Sequence, residues 1–248
     1  MRTISILWLR QIKRYFRSRS RIIGSLGQPI LFLLALGFGF GPIYARAGGG
    51  NYLQFLAPGV IAMSVLFTAI FSGIEMIWDR QFGFLKETFV APVSRLSIMI
   101  GRTLGGATVA TIQGCVVFVI ALIAGFRPDA WLLVPLSIAS MFLIALTFTA
   151  LGTAIASVMD DMQGFQLIMN FLVMPLFFLS GALFPLTNLP SVLAVLVRLD
   201  PLSYGVDALR ATLIGTSHWP LFVSLSILTG VLALFVLLGS WLFARIEL

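Results

Sequence analysis

Few side chains in this chain can carry covalent or proton chemistry, and none stands in a catalytic pattern. The 248 residues include a single histidine, His218, a single cysteine, Cys115, and only Lys13 and Lys86 as lysines. No Gly-x-x-x-x-Gly-Lys-Ser/Thr loop is present, so the chain lacks that means of cradling ATP phosphates. A His-Glu-x-x-His metal pattern and a Gly-x-Ser-x-Gly elbow are missing too. His218 stands beside Trp219 at the end of an apolar run, where an interfacial aromatic belt suits both. Cys115 lies inside an apolar run, can form no internal disulfide and reads as packing. Asp160 and Asp161 fall in a short loop, as hydrated carboxylates or contacts to a partner rather than the acids of an intramembrane protease. Glu75 alone lies within an apolar run. It reads either as a carboxylate that snorkels or pairs near the interface, or as a proton carrier.

The elements that position these groups are long and apolar. Hydrophobic residues make up 59% of the chain and charged residues 10%, and mean hydropathy is +1.05. A soluble domain averages about 25% charged residues, so this composition cannot coat a water-facing surface. Six apolar spans are marked at 22–44, 54–77, 103–125, 131–157, 165–186 and 220–243, each longer than the roughly 20 residues a helix needs to cross hydrocarbon. Backbone groups in lipid must be satisfied within their segment, and no barrel-like alternation appears, so the spans are helices. The expected fold is an all-α membrane protein with a single domain over 1–248.

Orientation follows from Lys and Arg. With the N-terminus in the cytoplasm, Arg2, Arg10, Lys13, Arg14, Arg17, Arg19, Arg21, Arg80, Lys86, Arg95, Arg102 and Arg245 are inside, and Arg46, Arg127, Arg198 and Arg210 are outside. That bias places both termini in the cytoplasm. The net charge of +7 then calls for anionic inner-leaflet lipid and no nucleic acid. Residues 1–21 carry Ile4, Leu7, Trp8, Ile12, Tyr15 and Phe16 at helical spacing against a basic face, a helix that lies along the membrane surface. Ala45-Arg46-Ala47 imitates a cleavage site, but 22–44 is a full span rather than the shorter apolar core of a signal peptide, and is expected to be retained.

Two stretches fit neither a span nor an idle loop. On the inner side, 78–102 holds Phe82, Leu85 and Phe89 at i, i+3 and i+7, one face of a helix, with Lys86 and Glu87 toward the other. Pro92 would end that helix, and Ser94 would cap the next. Amphipathicity alone also allows an interfacial helix with no further role. On the outer side, Ser180, Gly181 and Pro185 break the fifth span. An apolar segment too short to cross follows at 189–197, and it either dips back into the membrane or caps a cavity. Asp207 and Arg210, at i and i+3, can pair on one helix face.

Gly83-Phe84-Leu85-Lys86-Glu87 with Ala91-Pro92-Val93-Ser94-Arg95, and Phe178-Leu179-Ser180-Gly181-x-x-Phe184-Pro185 with the run from Asp200 to Arg210, resemble the membrane subunit of ABC-2 type transporters. The daunorubicin-resistance and nodulation-factor export branch is the nearest in flavour, and the resemblance covers essentially the whole chain. It implies a non-enzymatic half-transporter of the cell membrane of a prokaryote. Two copies would pair, each docked to a separate ATP-binding subunit that holds ATP and Mg, with no cofactor in this chain. The segment 81–91 would be the coupling helix, with Phe82, Leu85, Lys86, Glu87 and Phe89 meeting the ATPase, and the surface helix would touch it as well. A re-entrant outer segment with Ser180, Gly181, Pro185, Asp207 and Arg210 would form an extracellular gate. Candidates for the substrate path are Ser64, Thr68, Ser72, Asn170, Met174, Phe177 and Phe178, each equally open to ordinary helix packing. Such a lining suits an amphiphilic drug, a lipid or a lipid-linked glycan. A proton-coupled carrier using Glu75 is the alternative.

Overall fold

The computed structural model describes residues 2–46, 48, 50–83, 94–186 and 189–244. Among these the regular structure is helical: α1 (Arg2–Arg17), α2 (Arg19–Leu31), α3 (Gly41–Arg46), α4 (Tyr52–Phe71), α5 (Ile74–Gln81), α6 (Arg95–Ile123), α7 (Val134–Ser157), α8 (Met162–Leu179), α9 (Ser191–Leu199), α10 (Pro201–Leu213) and α11 (Leu221–Ala244). Six helical stretches are long and apolar enough to cross a membrane, as the sequence leads one to expect. The crossing helices run past some of the apolar spans. α6 begins at Arg95, two turns before Thr103, with the Ser94 hydroxyl accepting from the Ser97 N–H as its cap (3.2 Å).

α4 is the axis of the bundle, with 78% of its most apolar window buried, against 11% for α11, 17% for α2 and 22% for α8. It packs on α6, α7 and α10, and Leu56, Val60, Ile61, Met63 and Leu66 are all buried there. Dispersion rather than a hydrophobic drive holds helices together in lipid, so close backbone approach matters most. Just past the C-terminal end of α4 a Cβ on Gly73 would lie 2.5 Å from the Gly152 carbonyl oxygen of α7. Only glycine admits that contact. The second span is not one helix, since α4 stops at Phe71 and α5 resumes at Ile74.

The first span is also interrupted. Pro29 lies inside α2, which passes into a π-helical stretch, Phe32–Leu36, and a short turn, Gly37–Gly39. Proline removes an i to i−4 hydrogen bond, and a π-bulge is a common response to a disrupted ladder. The fifth span ends earlier than 186, at Leu179. Ser180 caps α8, and Gly181 at φ +72 turns the chain where an L-residue with a Cβ would be strained. The outer segment that follows is a pair of short helices. α9 exposes Val192, Val195 and Leu199, whereas α10 is buried along nearly its whole length against α4, α7 and α11.

Candidate functional site

The end of the bundle that the Lys and Arg bias assigns to the cytoplasm, called inner below, is built around Asp79. α1 is amphipathic, with Leu7 and Tyr15 buried against α6, and its i, i+4 pair Arg10 and Arg14 turns toward the i, i+4 pair Glu75 and Asp79 on α5. Arg10 donates to both Asp79 carboxylate oxygens (2.8 and 3.1 Å), and Arg102 of α6 donates to Oδ2 (2.7 Å). Arg14 lies 3.9 Å from Glu75 and 3.8 Å from Asp79, with its guanidinium 5.0 Å from the Trp78 ring centre. Asp79 and Arg102 are 5% and 4% exposed, so this pair is fully desolvated. Removing one partner of a buried pair costs about 3–5 kcal/mol, because the other charge is stranded. Arg80 points the other way, toward the carbonyl of Ser157 at the end of α7 and toward Asp160 and the Met159 carbonyl in the loop that follows. Asp161 caps α8 through the N–H groups of Gln163 and Gly164.

This clamp was not drawn from the sequence. The signal was present in the matched i, i+4 spacing of Arg10 with Arg14 and of Glu75 with Asp79, but partners 69 positions apart cannot be paired without the fold. Glu75 lies 3.9 Å from Arg14. Phe82 is 77% exposed and follows the last residue of α5. Gly83 at φ +79 ends that helix. Gln81 likewise belongs to α5. Leu85, Lys86, Glu87 and Phe89 lie outside the described residues.

The outer end gathers the other set. Ser180, Pro185, Asp207, Arg210, Phe55 and His218 line a cavity of about 180 Å³. Arg210 donates to the carbonyls of Gly181 (2.7 Å) and Ala182 (3.4 Å), and its guanidinium lies 3.9 Å from the Phe55 ring centre. Burial pushes Arg210 down to about 10, still charged at neutral pH. Asp207 accepts from the N–H groups of His218 (2.5 Å) and Trp219 (3.1 Å) and from the Ser224 hydroxyl (3.3 Å). The expected direct pair between Asp207 and Arg210 is therefore corrected. Each reaches a different loop, because carbonyls and N–H groups of loop backbone are nearer than the neighbouring turn of helix. Asp200 caps α10 through Leu202 N–H (2.8 Å) and the Ser203 hydroxyl (3.2 Å), and burial pushes its carboxyl up to about 7.

The path candidates divide three ways. Ser64 and Thr68 line a cavity of about 210 Å³ between α2 and α4. Asn170, Met174 and Phe178 fall at i, i+4 and i+8 on the exposed face of α8. Ser72 and Phe177 are buried in packing: the Ser72 hydroxyl bonds the Ala69 carbonyl (2.6 Å), and Phe177 meets Phe32 edge-on.

A bundle of six membrane-crossing helices, with an amphipathic helix clamped to its inner end and a short-helix pair packed into its outer end, defines a multi-pass membrane permease. The ABC-2 type transporter family matches residues 2–214, and the chain belongs to that family. Nodulation protein J of Rhizobium leguminosarum bv. trifolii is 31% identical over 196 residues, covering 78% of this chain and 74% of that protein. Nodulation protein J of Azorhizobium caulinodans is 26% identical over 246 residues, covering 95% and 96%. The ycf38 protein of Cyanophora paradoxa, described as a transport permease, is 29% identical over 252 residues, covering 95% and 87%. Family membership implies a partner ABC ATP-binding subunit.

Proposed function

We propose that the chain is half of an ATP-driven exporter of an amphiphilic drug, lipid or lipid-linked glycan in a prokaryotic cell membrane. Two copies pair, and each docks a separate ATP-binding subunit in which ATP and Mg reside. Both termini are cytoplasmic. The segment between α5 and α6 seats in the ATPase, with Phe82, Leu85, Lys86, Glu87 and Phe89 as its contacts and α1 beside it. The short outer helices act as the external gate.

The observation that carries this reading is the Asp79 clamp. In sequence the segment 84–93 lies between α5, which holds Asp79, and α6, which holds Arg102. Asp79 bonds Arg102 and Arg10 together, so both flanks of that segment and the surface helix form one block. A push on the segment reaches the crossing helices without being absorbed at its roots. A conformational change needs contacts that differ between its two states, and a docked ATPase that closes on ATP supplies them.

Proteoliposomes holding the chain with its ATP-binding subunit, loaded with a fluorescent amphiphile, test the reading. Export should require ATP hydrolysis and survive both collapse of the proton gradient and Glu75→Gln. Export that runs without ATP, stops when the gradient collapses and is lost in Glu75→Gln would establish a proton-coupled carrier instead.

A further inference from the structure

The outer cavity of about 180 Å³ is lined by a buried cation that makes no ion pair. Arg210 is 8% exposed. Its Nη2 donates to the Gly181 and Ala182 carbonyls, while Nε and Nη1 bond nothing and no carboxylate of the described residues pairs with it. Thr187 and Asn188, which follow the cavity wall at Leu186 and lie outside the described residues, carry no carboxylate either. Arg102, as deeply buried at the other end, has Asp79 at 2.7 Å. The carboxylate one turn from Arg210 is already engaged, since Asp207 accepts from two N–H groups and the Ser224 hydroxyl. Three donors satisfy a carboxylate, whereas a buried ion without a partner is costly. The Phe55 ring, 3.9 Å from the guanidinium, offsets part of that cost but bonds none of its N–H groups. Thr216 and Ser217, in the exposed loop after α10, line the same cavity, and their hydroxyls have no partner among the described residues. Donors therefore outnumber acceptors at this site.

We propose that this cavity binds a phosphate group, from solution or from a lipid headgroup, seated between the Arg210 guanidinium and the Thr216 and Ser217 hydroxyls. A guanidinium is matched to phosphate oxygens in geometry and charge. A tetrahedral oxyanion also presents oxygens in several directions, so it meets the guanidinium and the hydroxyls of a separate segment at once. The volume of about 180 Å³ is about six times the roughly 30 Å³ that a liquid water occupies, so such an ion fits with part of its hydration. Arg210 holds the turn after α8, and Asp207 holds the loop before α11. A phosphate bonded to Arg210 and to Thr216 or Ser217 joins these two loops, and so latches the outer closure. The inference rests on the outer-gate reading for its purpose, but not for its chemistry.

The test uses the purified full chain in a maltoside detergent, which has no phosphate, and without any ATPase. Amide hydrogen exchange is followed while inorganic phosphate, a short-chain phosphatidic acid or chloride is titrated at constant ionic strength. Phosphate also stabilises folded proteins generally, by exclusion from their surface, so the readout is local. Either phosphate compound should slow exchange saturably at 180–186 and 212–219 and leave 74–81 unchanged, and chloride should do neither. Saturation by inorganic phosphate alone assigns the site to a solution anion, and by phosphatidic acid alone to a headgroup. Arg210→Met should raise the half-saturating concentration about tenfold or more, the scale of one lost bond to a charged group. Because Arg210→Met also loosens the turn, Thr216→Val with Ser217→Ala provides a variant at exposed positions, expected to weaken binding severalfold. No saturable slowing by either phosphate compound, slowing equal at 74–81, an equal response to chloride, or binding unchanged in both variants would overturn the proposal. With no ATPase present, failure here leaves ATP-driven export standing. Failure of export with phosphate binding intact would sink the transport reading and spare the site.

Discussion

The two ends of this bundle use charged side chains in opposite ways. At the inner end Arg10, Arg102 and Asp79 bond side chain to side chain and join three helices. At the outer end Arg210, Asp207 and Asp200 bond mostly to backbone, at Gly181, Ala182, His218, Trp219 and Leu202. Bonds between helices make a rigid base that passes force along. Bonds from a helix to loop backbone hold a closure that can be released one loop at a time. The difference fits the proposed lever at one end and the proposed gate at the other.

The strongest way to break the contrast is at Asp79. Asp79→Ala strands Arg102 in a dry site and should destabilise the chain by about 3–5 kcal/mol, read as thermal unfolding in detergent. Combining it with Arg102→Met should recover much of that loss. If the single substitution is silent, the inner block is not held by charge.

Asp200 sharpens the outer side. Its carboxyl is held near 7 by burial against an ordinary 3.8, so the folded chain keeps an extra proton between those values. Stability from this group is full below about pH 4 and falls as pH rises to about 7, by on the order of 4 kcal/mol, then levels off. Asp200→Asn keeps the helix cap and should flatten that slope in unfolding measured at pH 5 and pH 8.

Arg210→Met should release the turn at Gly181 and Ala182 at a cost of about 2 kcal/mol, seen as faster hydrogen exchange confined to 180–186. Arg210→Lys should restore little, because an ammonium cannot both reach those carbonyls and stack on Phe55. An equal effect at α5 would mean that the two ends are one network. The smallest effect belongs to Gly181→Ala, about 1 kcal/mol or somewhat more, from a backbone at φ +72 and a Leu186 side chain 2.7 Å from the new methyl group.

What the sequence disclosed was whatever lipid enforces locally. Crossing helices follow from uninterrupted apolar length, and Ser94 follows from the need to satisfy the first N–H groups of α6. Their ends were less visible, because Arg95 and Arg102 extend α6 past its apolar core while Gly181 cuts α8 short. Ser180, Pro185, Asp207 and Arg210 line one cavity, yet Asp207 and Arg210, neighbours in sequence, do not bond each other. Their backbone partners come from distant loops that only the fold brings near. In sequence Asp79 is a single carboxylate beside Arg80, and its partners stand 69 and 23 positions away. Ser64 and Thr68 are small and polar, a property they share with Ser72, and only packing separates lining from filler.

The central claim is that ATP energy enters at the inner segment and is carried by the Asp79 block. Its most direct test is recovery of the ATP-binding subunit on the affinity-tagged chain after Phe82→Asp, Lys86→Glu, Glu87→Lys and Phe89→Asp together, beside Arg210→Met as a control. The account predicts that the fourfold variant folds and pairs but loses the ATPase, while Arg210→Met retains it. Undiminished recovery with the fourfold variant would contradict it.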